Sequence, residues 1–246
     1  MRTLIWMLVL GFIALNPGRV SAEVEVVMTN SDPVVAVHSN FRGQAVTLFG
    51  TVETPPPEGQ SYSVVVVVQG PSSDWVVREK TRQFGLVLNA QSATYERVPS
   101  YYGIFSSSPL EQLGLSGLSV FDPTALAKSL REDVFAPDFD GELVRLMQAR
   151  GRFSVSDRGV VMLSSTAFSV RVPIASNATN GLYLARAFVY AGGERVADST
   201  TRFTVRTQGF ERYVADVARS NPPLYGLVTI LIALGTGWLG GVLFRR

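Results

Sequence analysis

The densest run of side chains able to hold a ligand is cationic and aromatic: Arg78, Lys80, Arg82 and Arg97, with Tyr95, Tyr101 and Tyr102 nearby. Arginine forks suit sulfite, sulfate or phosphate-like oxyanions through paired N–H donors. These residues are therefore a candidate anion-binding surface. The same pattern also describes a solvated strand face with an aromatic edge, since charge clusters are usually solvated.

Other groupings fall short of chemistry. Asp138, Asp140 and Glu142 around Gly141 resemble a fragment of a calcium loop. With Gly141 at loop position six, Ala136 stands at position one and Met147 at position twelve, where the loop requires acids. Helix capping by Asp140 explains the cluster better. His38 is the only histidine, at a strand end beside Ser39-Asn40, with no partner nearby in sequence. Gly114-Leu115-Ser116-Gly117 lacks the second glycine of a nucleophile elbow, and neither Lys80 nor Lys128 follows a serine by three residues. Met28, Met147 and Met162 are too scattered for a thioether copper site. The lack of cysteine removes thiol nucleophiles, zinc-thiolate and iron–sulfur sites, disulfides and a lipoprotein anchor. The expectation is a non-enzyme without cofactor or metal.

The elements that must position these residues are mostly strands. The 246 residues are 46% hydrophobic and 17% charged, too apolar for disorder and sufficient for a core. Valine-rich runs at 23–29 and 33–37 open the pattern. In 45–52, Val46, Leu48 and Val52 fall on one face, with Thr47, Phe49 and Thr51 on the other. Val64 to Val68 predicts a strand covered on both faces, ended by Gly70-Pro71. Three shorter strands are expected at 75–80, 84–88 and 93–98. Pro55-Pro56-Pro57 reads as a stiff connector.

The middle turns helical. Asp122 is a plausible N-cap before Pro123, with Leu126, Leu130 and Val134 on one face. Asp140 is expected to cap a second helix running to Arg150, with Leu143, Leu146 and Met147 inward. Strands return after Phe153 and at 167–174. A closing hairpin pairs 182–191 with 195–206 across Gly192-Gly193, whose glycines readily supply the positive φ of a tight turn. The predicted class is mainly β: an immunoglobulin-like β-sandwich at 23–206 with a helical insertion at about 107–150. One C-terminal transmembrane helix follows it.

Both ends address the chain to a membrane. Arg2, the apolar run Leu4 to Leu15, and Val20-Ser21-Ala22 read as a signal peptide over 1–22, a retained anchor being the other reading. Leu224 to Phe244 carries no charge, and only Thr229 and Thr236 are distinctly polar. Its length matches a hydrocarbon core of about 30 Å. Pro222-Pro223 precedes it and Arg245-Arg246 follows, giving a span and short cytoplasmic tail at 222–246. The bilayer is thus one expected partner. The expected address is a bacterial inner membrane, single-pass, with the N-terminal domain periplasmic and the C-terminus cytoplasmic. Residues 207–221 suggest a juxtamembrane amphipathic helix bearing Phe210, Tyr213, Val214 and Val217. It would rest on the membrane or dock on the sandwich. Within the span, Ala233, Gly237 and Gly241 recur every fourth residue, a smooth face for packing a second helix.

The net charge of +2 says little about partners. Without Arg2, Arg19, Arg245 and Arg246 the exported part holds eighteen basic and twenty acidic residues. It has no basic tract, so nucleic acid is not expected as a partner.

Gly209-Phe210-Glu211, Pro223-Leu224-Tyr225-Gly226, Gly237-Trp238-Leu239 and Phe244-Arg245 carry a likeness, and through them the chain resembles the alphaproteobacterial putative transmembrane protein family. Upstream it includes Phe41-Arg42-Gly43, Leu48-Phe49-Gly50, Gly70-Pro71, Arg78-Glu79-Lys80 and Val98-Pro99-Ser100-Tyr101-Tyr102. Val144-Arg145-Leu146 and Gly181-Leu182-Tyr183 complete it. Val87 stands where an aromatic is expected, and Ala175 to Thr179 replaces a proline-rich approach to the hairpin. The resemblance implies a secretion signal, an exported domain and one C-terminal span. It also implies a transport accessory role beside another membrane protein, such as a sulfite-exporter-type permease. Three functional readings follow: a non-catalytic accessory or interaction protein for a membrane transport complex, a periplasmic small-anion binding or sensing module, and a surface protein whose C-terminal sorting signal is processed. No LPxTG-like motif precedes the span to support the last.

Overall fold

Alternating burial sets the first sheet in the computed structural model, which describes residues 24–37, 43–83, 86–115, 118–133, 135–207, 214 and 217–243. In β3 (Gln44–Val52), Val46, Leu48 and Val52 are buried while Phe49 and Thr51 face out, as their alternation predicts. β3 pairs antiparallel with β1 (Val26–Asn30) and β10 (Ala167–Ile174), and β9 (Val160–Met162) pairs with β10. The order of this sheet is β1-β3-β10-β9. Gly50 lies in register with Phe168, whose ring occupies the space a Cβ at Gly50 would need.

The second sheet is built around the closing hairpin. β11 (Gly181–Ala191) and β12 (Glu194–Thr207) meet at Gly192 and Gly193, whose φ values of 58° and 88° are those a tight turn requires. β2 (Val34–Val37) runs parallel to β12, and β4 (Tyr62–Gln69) lies antiparallel to β11. β7 (Tyr102–Ser106) and β8 (Phe153–Ser156) continue the sheet, which reads β2-β12-β11-β4-β7-β8.

β4 explains its five valines. Val64, Val66 and Val68 enter a core shared by both sheets, with Leu48, Phe168, Tyr183 and Phe203. Val65 and Val67 enter a second core on the opposite face, with Tyr95, Tyr102, Ile104, Leu143, Met147 and Phe188. All five are buried. A strand with an apolar environment on each side has no use for alternation, so the sequence reads as a continuous apolar run.

The second core is closed by a ribbon and two helices. β5 (Ser72–Gln83) and β6 (Leu86–Pro99) form a two-stranded sheet of their own, with irregularities at Ser73/Trp75 and Arg78/Lys80. Two long strands thus replace the three short ones expected, because cross-strand pairing carries through the polar stretches that interrupt the apolar pattern. α1 (Pro123–Leu130) begins as expected, with the Asp122 carboxylate accepting from Thr124 N at 2.8 Å. It ends at Leu130 rather than Val134, because Arg131 turns extended and bridges to Tyr95 of β6. α2 (Asp140–Ala149) buries Leu143, Val144 and Met147. Asp140 is not its cap. It is the first helical residue, and its amide donates to Asp138 Oδ1 at 3.1 Å.

The chain is mainly β with one long apolar helix near its C-terminus, α3 (Pro222–Leu243). The signal at 1–22, His38, Phe41-Arg42, Ser116-Gly117 and Arg245-Arg246 lie outside the described residues. So do Phe210 and Tyr213 of the juxtamembrane segment, although Val214 and residues 217–220 are helical.

Candidate functional site: a cationic groove and a membrane span

The basic residues singled out in the sequence separate into two places. Arg78 and Lys80 line a groove of about 390 Å³ between β5 and α2. Its floor is apolar: Val77, Leu143 and Met147 are buried and Leu146 is half-buried. Arg97 sits elsewhere, where the start of β5 pairs with the end of β6. Its φ is 52°, and its amide donates to Asp74 Oδ1 at 2.9 Å, so its backbone shapes a bulge. Arg82 pairs with Val87 at the far end of the ribbon, and its side chain lies outside the described part.

The three tyrosines expected at an aromatic edge face inward. Tyr95, Tyr101 and Tyr102 are buried, the hydroxyl of Tyr102 donating to Val120 O at 2.6 Å. Burial pushes the Tyr102 hydroxyl up to about 12. The ring that does border the groove is Trp75, which the sequence reading passed over. Two guanidiniums stand over it, Arg150 at 5.5 Å and Arg152 at 5.6 Å from its centroid. Arg150 also lines the groove. The signal available in sequence was the Arg150-Gly151-Arg152 run at the expected helix end.

The charges here are unbalanced. Among the described residues no ion pair is made by Arg78, Lys80, Arg150 or Arg152. Arg152 Nε is buried and has no hydrogen-bond partner among the described residues. Glu142, the one acid lining the groove among the described residues, is held by Arg145 through contacts of 2.6 and 3.0 Å, which lower its carboxyl below the ordinary value.

A second cluster of titratable groups is closed on itself. Tyr95 donates to Asp140 Oδ1 at 2.8 Å, and Arg131 stands 3.7 Å from the same oxygen and 3.6 Å from Asp138. Burial raises the Asp140 carboxyl and raises the Tyr95 hydroxyl well above its normal range. Asp138, exposed, is lowered mainly by the backbone N–H of Asp140. Together with Glu132 N donating to Thr94 O at 3.0 Å, these contacts fasten the helical segment to β6.

The last element is the candidate span. Within α3, residues 222–242 are a candidate span of 21 residues with mean hydropathy 1.6 and none of it buried against the rest of the protein. At about 1.5 Å per residue it spans about one hydrocarbon core. Its two polar side chains are satisfied internally. Thr229 donates to Tyr225 O and Gly226 O, and Thr236 to Ile232 O and Ala233 O, at 2.9–3.0 Å. Neither hydroxyl is left unpaired in an apolar surrounding. Ala233, Gly237 and Gly241 recur along it, and a Cβ added at Gly237 or Gly241 would meet nothing. The family described as Putative transmembrane protein (Alph_Pro_TM) matches residues 25–246. The chain belongs to it. No curated protein matches the chain. Membership in this family and the one candidate span among the described residues make the chain a membrane-anchored protein whose helix meets a lipid bilayer.

Proposed function

We propose that this protein is a single-pass accessory or interaction subunit without catalytic activity, presenting an immunoglobulin-like β domain on the periplasmic side of a bacterial inner membrane. The observation that carries the interaction reading is an uncovered apolar strip on the six-stranded sheet. The ribbon and helices cover β4 and β7, and further along β11 Leu182 and Leu184 remain 46% and 45% exposed. Leu184 adjoins Val120, and Leu118 extends the strip. Arg186 borders it, reaching over the Phe188 ring at 5.8 Å. A contiguous apolar patch with a polar rim is the usual mark of a protein contact.

The immunoglobulin-like part of the proposal draws support from connectivity. One sheet runs β1-β3-β10-β9, and the other places the closing hairpin beside β4. Tyr183, near the start of β11, donates back to Thr179 O at 3.0 Å, in the manner of a tyrosine corner. The non-catalytic part is supported by Tyr95, Arg131 and Asp140, titratable groups bound to one another in the interior. The orientation is supported by Arg245-Arg246 after the span and the signal-like start. The partner proposed is another membrane protein of a transport complex, with a sulfite-exporter-type permease as the candidate the resemblance suggests.

The native protein purified from membranes in mild detergent tests this reading. A membrane protein should co-purify, and Leu184→Glu should release it without lowering the melting temperature. Purification of the chain alone from its own membranes overturns it. Protease treatment of spheroplasts should digest the β domain; protection would reverse the orientation.

The cations around Trp75, none of them in an ion pair among the described residues, favour a second reading, a small-anion binding or sensing module, now centred on Arg78, Lys80 and Arg150 rather than on the whole Arg78–Arg97 set.

A further inference from the structure

The geometry points to the groove between β5 and α2 as a site for an amphipathic anion, a small molecule with an apolar body and one phosphate, sulfonate or carboxylate head. This rests on the second reading above and sharpens it. A site for a bare oxyanion needs donors and little else. Here the cations stand at the rim and the floor is hydrocarbon.

Three observations carry it. The floor of Val77, Leu143 and Met147 is buried from the outside by the fold yet borders the groove, so an occupant would rest on apolar atoms. The volume of about 390 Å³ lies toward the small end of ligand pockets, which run from about 300 to 1,000 Å³. The rim carries Arg78, Lys80 and Arg150, none of them in an ion pair among the described residues. The acid that lines the groove with them, Glu142, already has both oxygens on Arg145. An arriving anion would therefore not compete with that carboxylate for the donors, and charge-assisted hydrogen bonds would form.

Trp75 adds an aromatic wall and a place for the arginines to wait. Its indole N–H is fixed by Ser73 Oγ at 2.9 Å. Arg150 and Arg152 rest near its ring, and two guanidiniums about one ring repel each other unless an anion lies between or beside them. The head group belongs with Arg78, Lys80 and Arg150, and the apolar body belongs over Leu143, Leu146 and Met147.

The test uses the full chain in nanodiscs of phosphatidylcholine, which avoids anionic detergent and anionic lipid. Hexyl phosphate and inorganic phosphate are titrated while tryptophan emission is followed, with Trp75→Phe identifying the responding ring. Hexyl phosphate should give a saturable change and bind at least about tenfold tighter than inorganic phosphate, the equivalent of burying about two methylenes. Arg78→Gln with Arg150→Gln should weaken it by a factor of about one hundred, about tenfold for each charged hydrogen bond removed. Leu146→Gln should reduce the advantage of the hexyl chain and leave phosphate unchanged. Equal affinities for the two probes, with both lost in the double arginine variant, would overturn the amphipathic site and leave the small-anion reading standing. No saturable response to either probe, or responses indifferent to the arginines, would overturn both. Adding phosphatidylglycerol to the nanodiscs separates the source: competition with hexyl phosphate would assign the groove to membrane lipid instead of a soluble ligand.

Discussion

The hydroxyl of Tyr95 donates to Asp140 across 2.8 Å, linking the β6 strand to the first turn of α2 through forty-five residues of chain. Arg131 shares the same carboxylate and continues the β6 pairing by one bridge, so strand and helices are held as one layer.

Removing that hydroxyl should be costly. Tyr95→Phe keeps the ring and deletes the donor, leaving the buried Asp140 oxygen short of one partner. Unfolding in denaturant should show a loss of about 1.5–3 kcal/mol, the range for hydrogen bonds to charged groups. A loss within experimental error would mean that Arg131 alone satisfies the carboxylate.

Asp140 gives a signed pH dependence. Burial raises its carboxyl from the usual 3.8, against the lowering pull of Tyr95 and Arg131. The folded protein thus keeps this proton where the unfolded chain has released it. The stability this group contributes is full below 3.8 and declines as pH rises through the raised folded value. Asp140→Asn removes the titration. From about pH 4 toward pH 7 the wild type should lose stability relative to the variant, as read by paired urea curves. Parallel curves would contradict the raised value.

Gly50 has a packing reason rather than a conformational one. A methyl group there would run into the Phe168 ring on the neighbouring strand, in the middle of the first core. Gly50→Ala should destabilise by about 1–3 kcal/mol, typical of overpacking. Adding Phe168→Leu, which vacates ring atoms, should recover part of it. Two additive losses in a double-mutant cycle would show that the contact is not shared.

The span separates an anchor from a docking helix. Gly237→Leu fills the open face along Ala233, Gly237 and Gly241 while favouring insertion. Cross-linking to a partner in the membrane should fall, with Ile232→Val as the conservative control and membrane localisation unchanged. Unaltered cross-linking would leave the span as an anchor and assign any partnership to the β domain.

Short-range physics made part of this protein readable in advance. The alternation in β3, the valine run of β4, the Gly192-Gly193 turn, the Asp122 cap and the apolar span each depend on neighbours within a few residues. Family membership was legible for the same reason, since its motifs are contiguous words. The candidate site was legible only in fragments. Arg78 and Lys80 are visible in sequence, whereas Arg150, seventy residues on, joins them only because α2 packs beside the ribbon. Tyr95 reads as a polar aromatic suited to a surface, and its burial depends on Asp140 and Arg131 arriving from a different segment. The lengths of β5 and β6 were hidden for a related reason: their polar stretches gain strand structure from pairing with each other, an interaction that exists only once the chain has turned back on itself. Periodicity is written locally. Which charges meet, and which aromatic they meet around, was decided by how the second core closes.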